Sequence, residues 1–158
     1  MTSSLPLILR EEPFFEATEV SLPDAVRVVT MEFPEVRMDD LPEIFDGHFH
    51  LLAQARPIGP GFAVYEGDVT DEFDVTIGFP VAEPTDLEGI DNGTFPTGRA
   101  LVMSHLGGFD GLGSAWELLM ETHFAKGGAV PRAVVEIYVT DPSVVAHDDL
   151  RTDLLVLL

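Results

Sequence analysis

The stretch Phe62-Ala63-Val64-Tyr65, set beside Val135-Glu136-Ile137-Tyr138, decides how this chain reads. In both, a tyrosine follows two residues after a position that is alanine in one and glutamate in the other. Short, β-branched runs of this kind favour strands, and successive side chains on a strand point to opposite faces. Val135, Ile137 and Val139 therefore share one face, which suits burial under helices, while Glu136 and Tyr138 share the other. By the same logic Phe62 and Val64 face the helix layer and leave Ala63 and Tyr65 on the opposite side. If two halves pair about a pseudo-twofold axis, two tyrosines and one carboxylate converge on a shared cleft.

Outward from these stretches the same order of elements occurs twice. Residues 14–22 and 25–33 are extended and are parted by Pro23 and Asp24, which suit a hairpin turn. From Asp40 the period changes. Asp40 and Glu43 have capping-box spacing, Pro42 fits a first turn, and Leu41, Ile44, Phe45, His48, Leu52 and Ala55 recur at helical spacing up to Pro57. Strands follow over 61–66 and 73–81. Residues 83–94 are acidic, glycine-containing and aperiodic, and read as a linker. A strand over 97–105 comes next, then a helix capped by Asp110, with Leu112, Ala115, Trp116, Leu119, Met120 and Phe124 inward and Gly127 and Gly128 as its stop. Strands over 133–139 and 151–157 finish the chain. The expected class is α+β: tandem pseudo-twofold β-α-β-β repeats in one domain over 1–158, the first repeat about 14–82 and the second about 95–158.

Composition narrows the partners. With 28 acidic and 8 basic residues in 158, the formal charge is -20, which repels phosphate backbones and anionic membranes and favours neutral or cationic partners. Solubility alone would also account for that charge. The length holds one domain with no room for a helix-turn-helix module beside it, so no direct contact with nucleic acid is expected. Cysteine is absent, which removes disulfides, thiolate metal sites and a cysteine nucleophile. Residues 1–10 carry only a five-residue apolar run with no basic stretch before it, too short for a signal peptide or span, so a cytoplasmic location is the default.

At this point the residues resemble a known family. Gly59-Pro60-Gly61-Phe62-Ala63-Val64-Tyr65, Ile77-Gly78-Phe79-Pro80-Val81, Thr97-Gly98-Arg99 running into His105-Leu106-Gly107-Gly108-Phe109-Asp110-Gly111-Leu112-Gly113, then Glu136-Ile137-Tyr138-Val139-Thr140-Asp141-Pro142 and Arg151-Thr152 are similar, in order and spacing, to the successive signatures of GyrI-like domains. The resemblance covers about residues 25–158. It implies two β-α-β-β units with both helices on one side of an antiparallel sheet and a ligand cleft near the pseudo-twofold axis. Members serve as drug-sensing parts of multidrug regulators, as free-standing binders, as a protein inhibitor of DNA gyrase and, in one branch, as hydrolases of strained cyclopropane-containing toxins. In the drug sensors a buried glutamate meets the ligand's positive charge, and Glu136 occupies that position. Val135 stands where members often carry an aromatic residue, which weakens the hydrolase branch, and Gly108 stands where proline is common.

The candidate ligand-binding residues are thus Glu136, Tyr138, Tyr65, Ala63, Phe109 and Trp116. An unpaired carboxylate inside Ala133-Val134-Val135-Glu136-Ile137-Tyr138-Val139 would cost several kcal/mol, so something must offset it, unless Glu136 lies on a solvated sheet face. Either tyrosine can stack on a planar ligand or donate to Glu136. Trp116 sits at a core-facing helical position, where packing is the simpler role, and Phe109 directly before a helix is open to both roles. The function expected is that of a stand-alone binder of bulky, apolar, cationic small molecules, which it buffers or reports to a regulatory protein partner. Two alternatives use the same features: a hydrolase of strained rings, with Glu136 and Tyr138 catalytic, and an acidic inhibitor of a DNA-binding enzyme such as gyrase.

Other chemistries find no support, and no cofactor or metal is expected. His48 and His50 point to different sides of one helix, while His105, His123 and His147 stand apart. Asp86, Glu88 and Asp91 lack the ligand pattern of a calcium loop. Gly108, Gly111 and Gly113 are not followed by Lys-Ser/Thr, Asp110 would repel phosphate, and no Gly-x-Ser-x-Gly elbow occurs.

Overall fold

The structure is a computed structural model, and it describes residues 7, 9–10, 12–23, 26–67, 71–140, 146 and 149–158. Asp24, Asp141, Pro142, His147 and most of the amino-terminal apolar run lie outside the described residues. Among the described residues eight strands and two α-helices follow in order: β1 Thr18–Ser21, β2 Arg27–Val36, α1 Leu41–Leu52, β3 Phe62–Gly67, β4 Phe73–Pro80, β5 Asp91–Thr94, β6 Arg99–Leu106, α2 Leu112–Ala125, β7 Val134–Tyr138 and β8 Arg151–Leu157. They form one antiparallel sheet in the order β1-β6-β8-β7-β3-β4-β2-β5. The α+β class and the doubled β-α-β-β order hold. β2-α1-β3-β4 and β6-α2-β7-β8 are the two repeats, and they meet at the central pair β3 and β7.

Three expectations change. First, β1 and β2 do not form a hairpin: β1 pairs with β6 of the second repeat, and β5 pairs with β2 of the first. Each repeat thus sends its leading strand to the far edge of the other, and the 83–94 segment read as a linker ends in that second leading strand. Second, the helix starts differ. The Asp40 carboxylate accepts from the Arg37 N–H at 3.0 Å, one turn earlier than the Asp40–Glu43 box, and α2 has Gly111 rather than Asp110 as its N-cap. Phe124 of α2 is exposed and His123 is buried in its place, its Nε2 2.7 Å from the Ala129 carbonyl.

Third, the faces are reversed. Ala63, Tyr65, Glu136 and Tyr138 lie on the helix side, whereas Phe62, Val64, Val135 and Ile137 point away from the helices. The alternation is correct, but a second core covers the far face, built from Leu7, Phe14, Leu22, Val28, Phe95, Val102 and Leu155. The sheet must curl around it. Five residues from Thr94 to Arg99 reach at most about 18 Å, while a flat sheet would separate β5 from β6 by about 29 Å. The crossing segments are tied together, with the Leu22 N–H donating to the Gly98 carbonyl at 2.7 Å and the Phe95 N–H to the Val26 carbonyl at 2.9 Å.

A buried polar cluster fastens the amino-terminal segment to this far face. Arg151 holds Asp153 with two bonds of 3.0 and 3.1 Å and donates to the Arg10 carbonyl at 3.0 Å. The Ser104 hydroxyl donates to Asp153 at 2.6 Å and accepts from the Phe14 N–H at 2.8 Å. Beside it Thr152 faces the helix side, and its buried hydroxyl has no partner among the described residues. Its counterpart in the first repeat is Val75: Tyr65 pairs with Val75 as Tyr138 pairs with Thr152. Thr152→Val removes an unsatisfied group at constant shape and is expected to stabilise the fold by about 1 kcal/mol, a rise of roughly 2–4 °C in Tm. A fall in Tm by differential scanning calorimetry would contradict this account of Thr152.

Candidate functional site

α1 packs on β2 and β4 and α2 on β6 and β8, which leaves the middle strands β3 and β7 as the floor of a cavity between the helices. Its volume is about 1310 Å³. Phe45 and Phe49 of α1, Leu112, Trp116 and Met120 of α2, and Phe79 make the apolar walls, and Glu136 with the two tyrosines makes the floor.

The register explains how one carboxylate meets both tyrosines. Setting Phe62-Ala63-Val64-Tyr65 beside Val135-Glu136-Ile137-Tyr138 shifts the numbering so that Ala63 corresponds to Glu136, and Ala63 is also the residue directly opposite Glu136 across the β3–β7 ladder. The pseudo-twofold axis therefore passes between these two residues. Tyr65 and Tyr138 are exchanged by it and reach the same point from opposite sides. Tyr65 donates to Glu136 Oε1 at 2.8 Å and Tyr138 to the same oxygen at 2.7 Å, with the two hydroxyls 3.4 Å apart. The other oxygen, Oε2, accepts from Trp116 Nε1 at 2.7 Å.

Glu136 is only 6% exposed. Withdrawing a carboxylate from water costs several kcal/mol, and each hydrogen bond to a charged group returns about 1.5–3 kcal/mol. All three donors are neutral. Among the described residues no lysine, arginine or histidine stands within ion-pairing distance of Glu136. Burial first, and then the charge of Glu136, push the Tyr65 hydroxyl well above the ordinary phenol range. Burial, then the neighbouring Tyr65 and Glu136, do the same for Tyr138. Both phenols accordingly stay protonated and keep donating far into the alkaline range.

The sequence candidates fall as follows. Glu136, Tyr65, Tyr138 and Trp116 form one hydrogen-bonded group, and Phe109 stands at the mouth with its ring 6.0 Å from that of Tyr138. Ala63 is fully buried opposite Glu136 and forms no part of the cavity wall. Trp116, for which packing was the simpler role, uses its indole N–H on the carboxylate. Sequence reasoning missed Phe45 and Phe49, whose rings lie 6.1 and 5.9 Å from Tyr138. A signal for Phe45 existed, since it corresponds to Trp116 when the helices are aligned on Leu41 and Leu112. Among the described residues no group of three or more His, Asp or Glu side chains is placed to hold a metal ion, and no helix is long and apolar enough to cross a membrane.

A two-repeat antiparallel sheet with an open, apolar-walled cavity on its axis defines a small-molecule-binding domain. The chain belongs to the GyrI-like family, described as a GyrI-like small molecule binding domain, matched over residues 48–158. No curated protein matches its sequence. Among solved structures it is similar to the EcmrR C-terminal domain, with a TM-score of 0.74 and 18% identity over 90% of this chain and 96% of that one. In the EcmrR–DNA complex the match covers 56% of the EcmrR chain. SAV2435 bound to tetraphenylphosphonium matches with a TM-score of 0.67 and 10% identity over 90% and 93% of the two chains. A hydrolase from Listeria innocua matches with a TM-score of 0.59 and 12% identity over 92% and 93%. At such identities the likeness is one of fold.

Proposed function

We propose that this chain binds bulky, apolar cations in the cavity between α1 and α2, with Glu136 as their counter-charge. One observation carries the reading: a buried carboxyl group is held by three neutral donors, and no lysine, arginine or histidine among the described residues forms an ion pair with it. A ligand cation would supply the missing partner. The aromatic walls suit that charge, because each ring facing a cation adds about 0.5–2 kcal/mol. Tetraphenylphosphonium in the structural neighbour SAV2435 is a ligand of this kind. The charge of -20 also raises the local concentration of cations and opposes direct contact with nucleic acid, so the bound state would be passed on through a protein partner.

The chain has a built-in reporter, since Trp116 is its only tryptophan and bonds to Glu136. Titration with tetraphenylphosphonium is expected to change Trp116 fluorescence saturably with a micromolar Kd, about 8 kcal/mol. At a hundredfold excess over Kd the ligand adds about 2.7 kcal/mol of stability. Neutral triphenylphosphine oxide should bind far more weakly. An unchanged Trp116 signal, or equal binding of the oxide, would remove this reading.

A further inference from the structure

We propose that the cavity is built for elongated dications, one charge at Glu136 and the second at Asp46, joined by an apolar spacer. This rests on the reading of Glu136 just given and extends it to a second subsite. Asp46 is the other carboxylate on the cavity wall. Pro42, Asp46 and Phe49 lie four and three residues apart on α1, a spacing that puts them on one helical stripe, and all three border the cavity. A charge thus interrupts a stripe that is otherwise apolar. Asp46 is exposed and, among the described residues, holds no hydrogen bond or ion pair.

The second repeat also carries a carboxylate at the matching helical position, but only the one on α1 borders the cavity. With the helices aligned, Leu41, Pro42, Phe45 and Phe49 correspond to Leu112, Gly113, Trp116 and Met120, and all eight line the cavity. Asp46 corresponds to Glu117, which does not. The cation on the wall, Arg132, forms no ion pair with Asp46. Its guanidinium donates to the Thr97 carbonyl at 3.0 Å, which draws the charge towards the segment between β5 and β6.

Aromatic contacts lead from Glu136 to the helix that carries Asp46, and they suit a spacer. Tyr138 bonds to Glu136 and meets the ring of Phe45 at 6.1 Å, and Phe45 is the chain neighbour of Asp46. Met38 and Phe109, both more than two-fifths exposed, add apolar surface at the mouth. The volume of about 1310 Å³ also exceeds the range of about 300–1,000 Å³ usual for small-molecule pockets. A compact monocation would occupy only part of it.

The test compares two ligands of equal size: two quinolinium rings joined by a decane chain, and the same molecule with one ring left as neutral quinoline. Trp116 fluorescence at pH 7.5 and low salt reads both. Its two equivalent ends give the dication a statistical advantage of about twofold, and an exposed ion pair adds about two- to fivefold more. The expected ratio is therefore about four- to tenfold, shrinking as salt screens the exposed Asp46. Asp46→Asn should reduce the ratio to about two, and Asp46→Glu should keep it higher. A ratio of two or less in the unaltered protein overturns the proposal. So does a ratio that persists in Asp46→Asn, which would come from the overall charge instead. If the monocation binds and depends on Glu136 while the ratio fails, only the second subsite falls; if neither ligand binds, the reading of Glu136 falls as well.

Discussion

Glu136→Gln is expected to weaken tetraphenylphosphonium binding at least tenfold, about 1.4 kcal/mol, while leaving the weak binding of neutral triphenylphosphine oxide nearly unchanged. A carboxylate about 4 Å from a cation contributes on the order of 4 kcal/mol at an effective dielectric near 20. Ordering and desolvation of the ligand consume part of that. The amide removes the charge and fits the cage badly. Its oxygen can accept from Tyr65 and Tyr138, but its NH2 then faces the Trp116 N–H, donor against donor. Titration calorimetry on both proteins, with circular dichroism to verify the fold, gives the comparison. Retention of cation affinity within twofold would mean that the rings alone do the binding.

On the opposite face, Asp153→Ala is expected to cost about 3–5 kcal/mol, because a buried guanidinium loses its paired carboxylate. At roughly 2–4 °C per kcal/mol this lowers Tm by on the order of 10 °C. The loss should spread to the amino-terminal segment, since Arg151 holds the Arg10 carbonyl and Ser104 holds Phe14 through the same cluster. The double change Arg151→Met with Asp153→Leu should recover most of the stability. Urea unfolding of the three proteins decides it: a single-variant loss below about 1 kcal/mol would show that the cluster is dispensable. Both variants, once folded, should bind tetraphenylphosphonium normally, because Asp153 lies on the side of the sheet away from the cavity.

Much of this architecture was legible because local patterns and tertiary packing agree. β8 occupies the residues its apolar run indicated, and both helices follow their 3.6-residue period. The failures have a common cause in the far-face core. β8 is buried along its whole length and β3 over its first four residues. With both faces buried, alternation says which residues share a face but not which face carries the helices. The hairpin failed for a related reason. Pro23 suggested a tight turn, yet Ser21-Leu22-Pro23 has its counterpart in Thr94-Phe95-Pro96, and at both places the chain crosses to the other repeat's edge. That internal echo was available in the sequence. For Trp116 a cue also existed, since a sheltered indole N–H requires an acceptor and Glu136 required donors.

The axis between Ala63 and Glu136 has one more consequence. A dimer of two identical repeats would be obliged by symmetry to place either two carboxylates or none at that point. Two would repel each other at the bottom of an apolar well, and none would offer nothing to a cation. Joining unequal halves in a single chain escapes the choice: a methyl group on one side leaves room for a solitary carboxyl group at the centre of an otherwise matched frame.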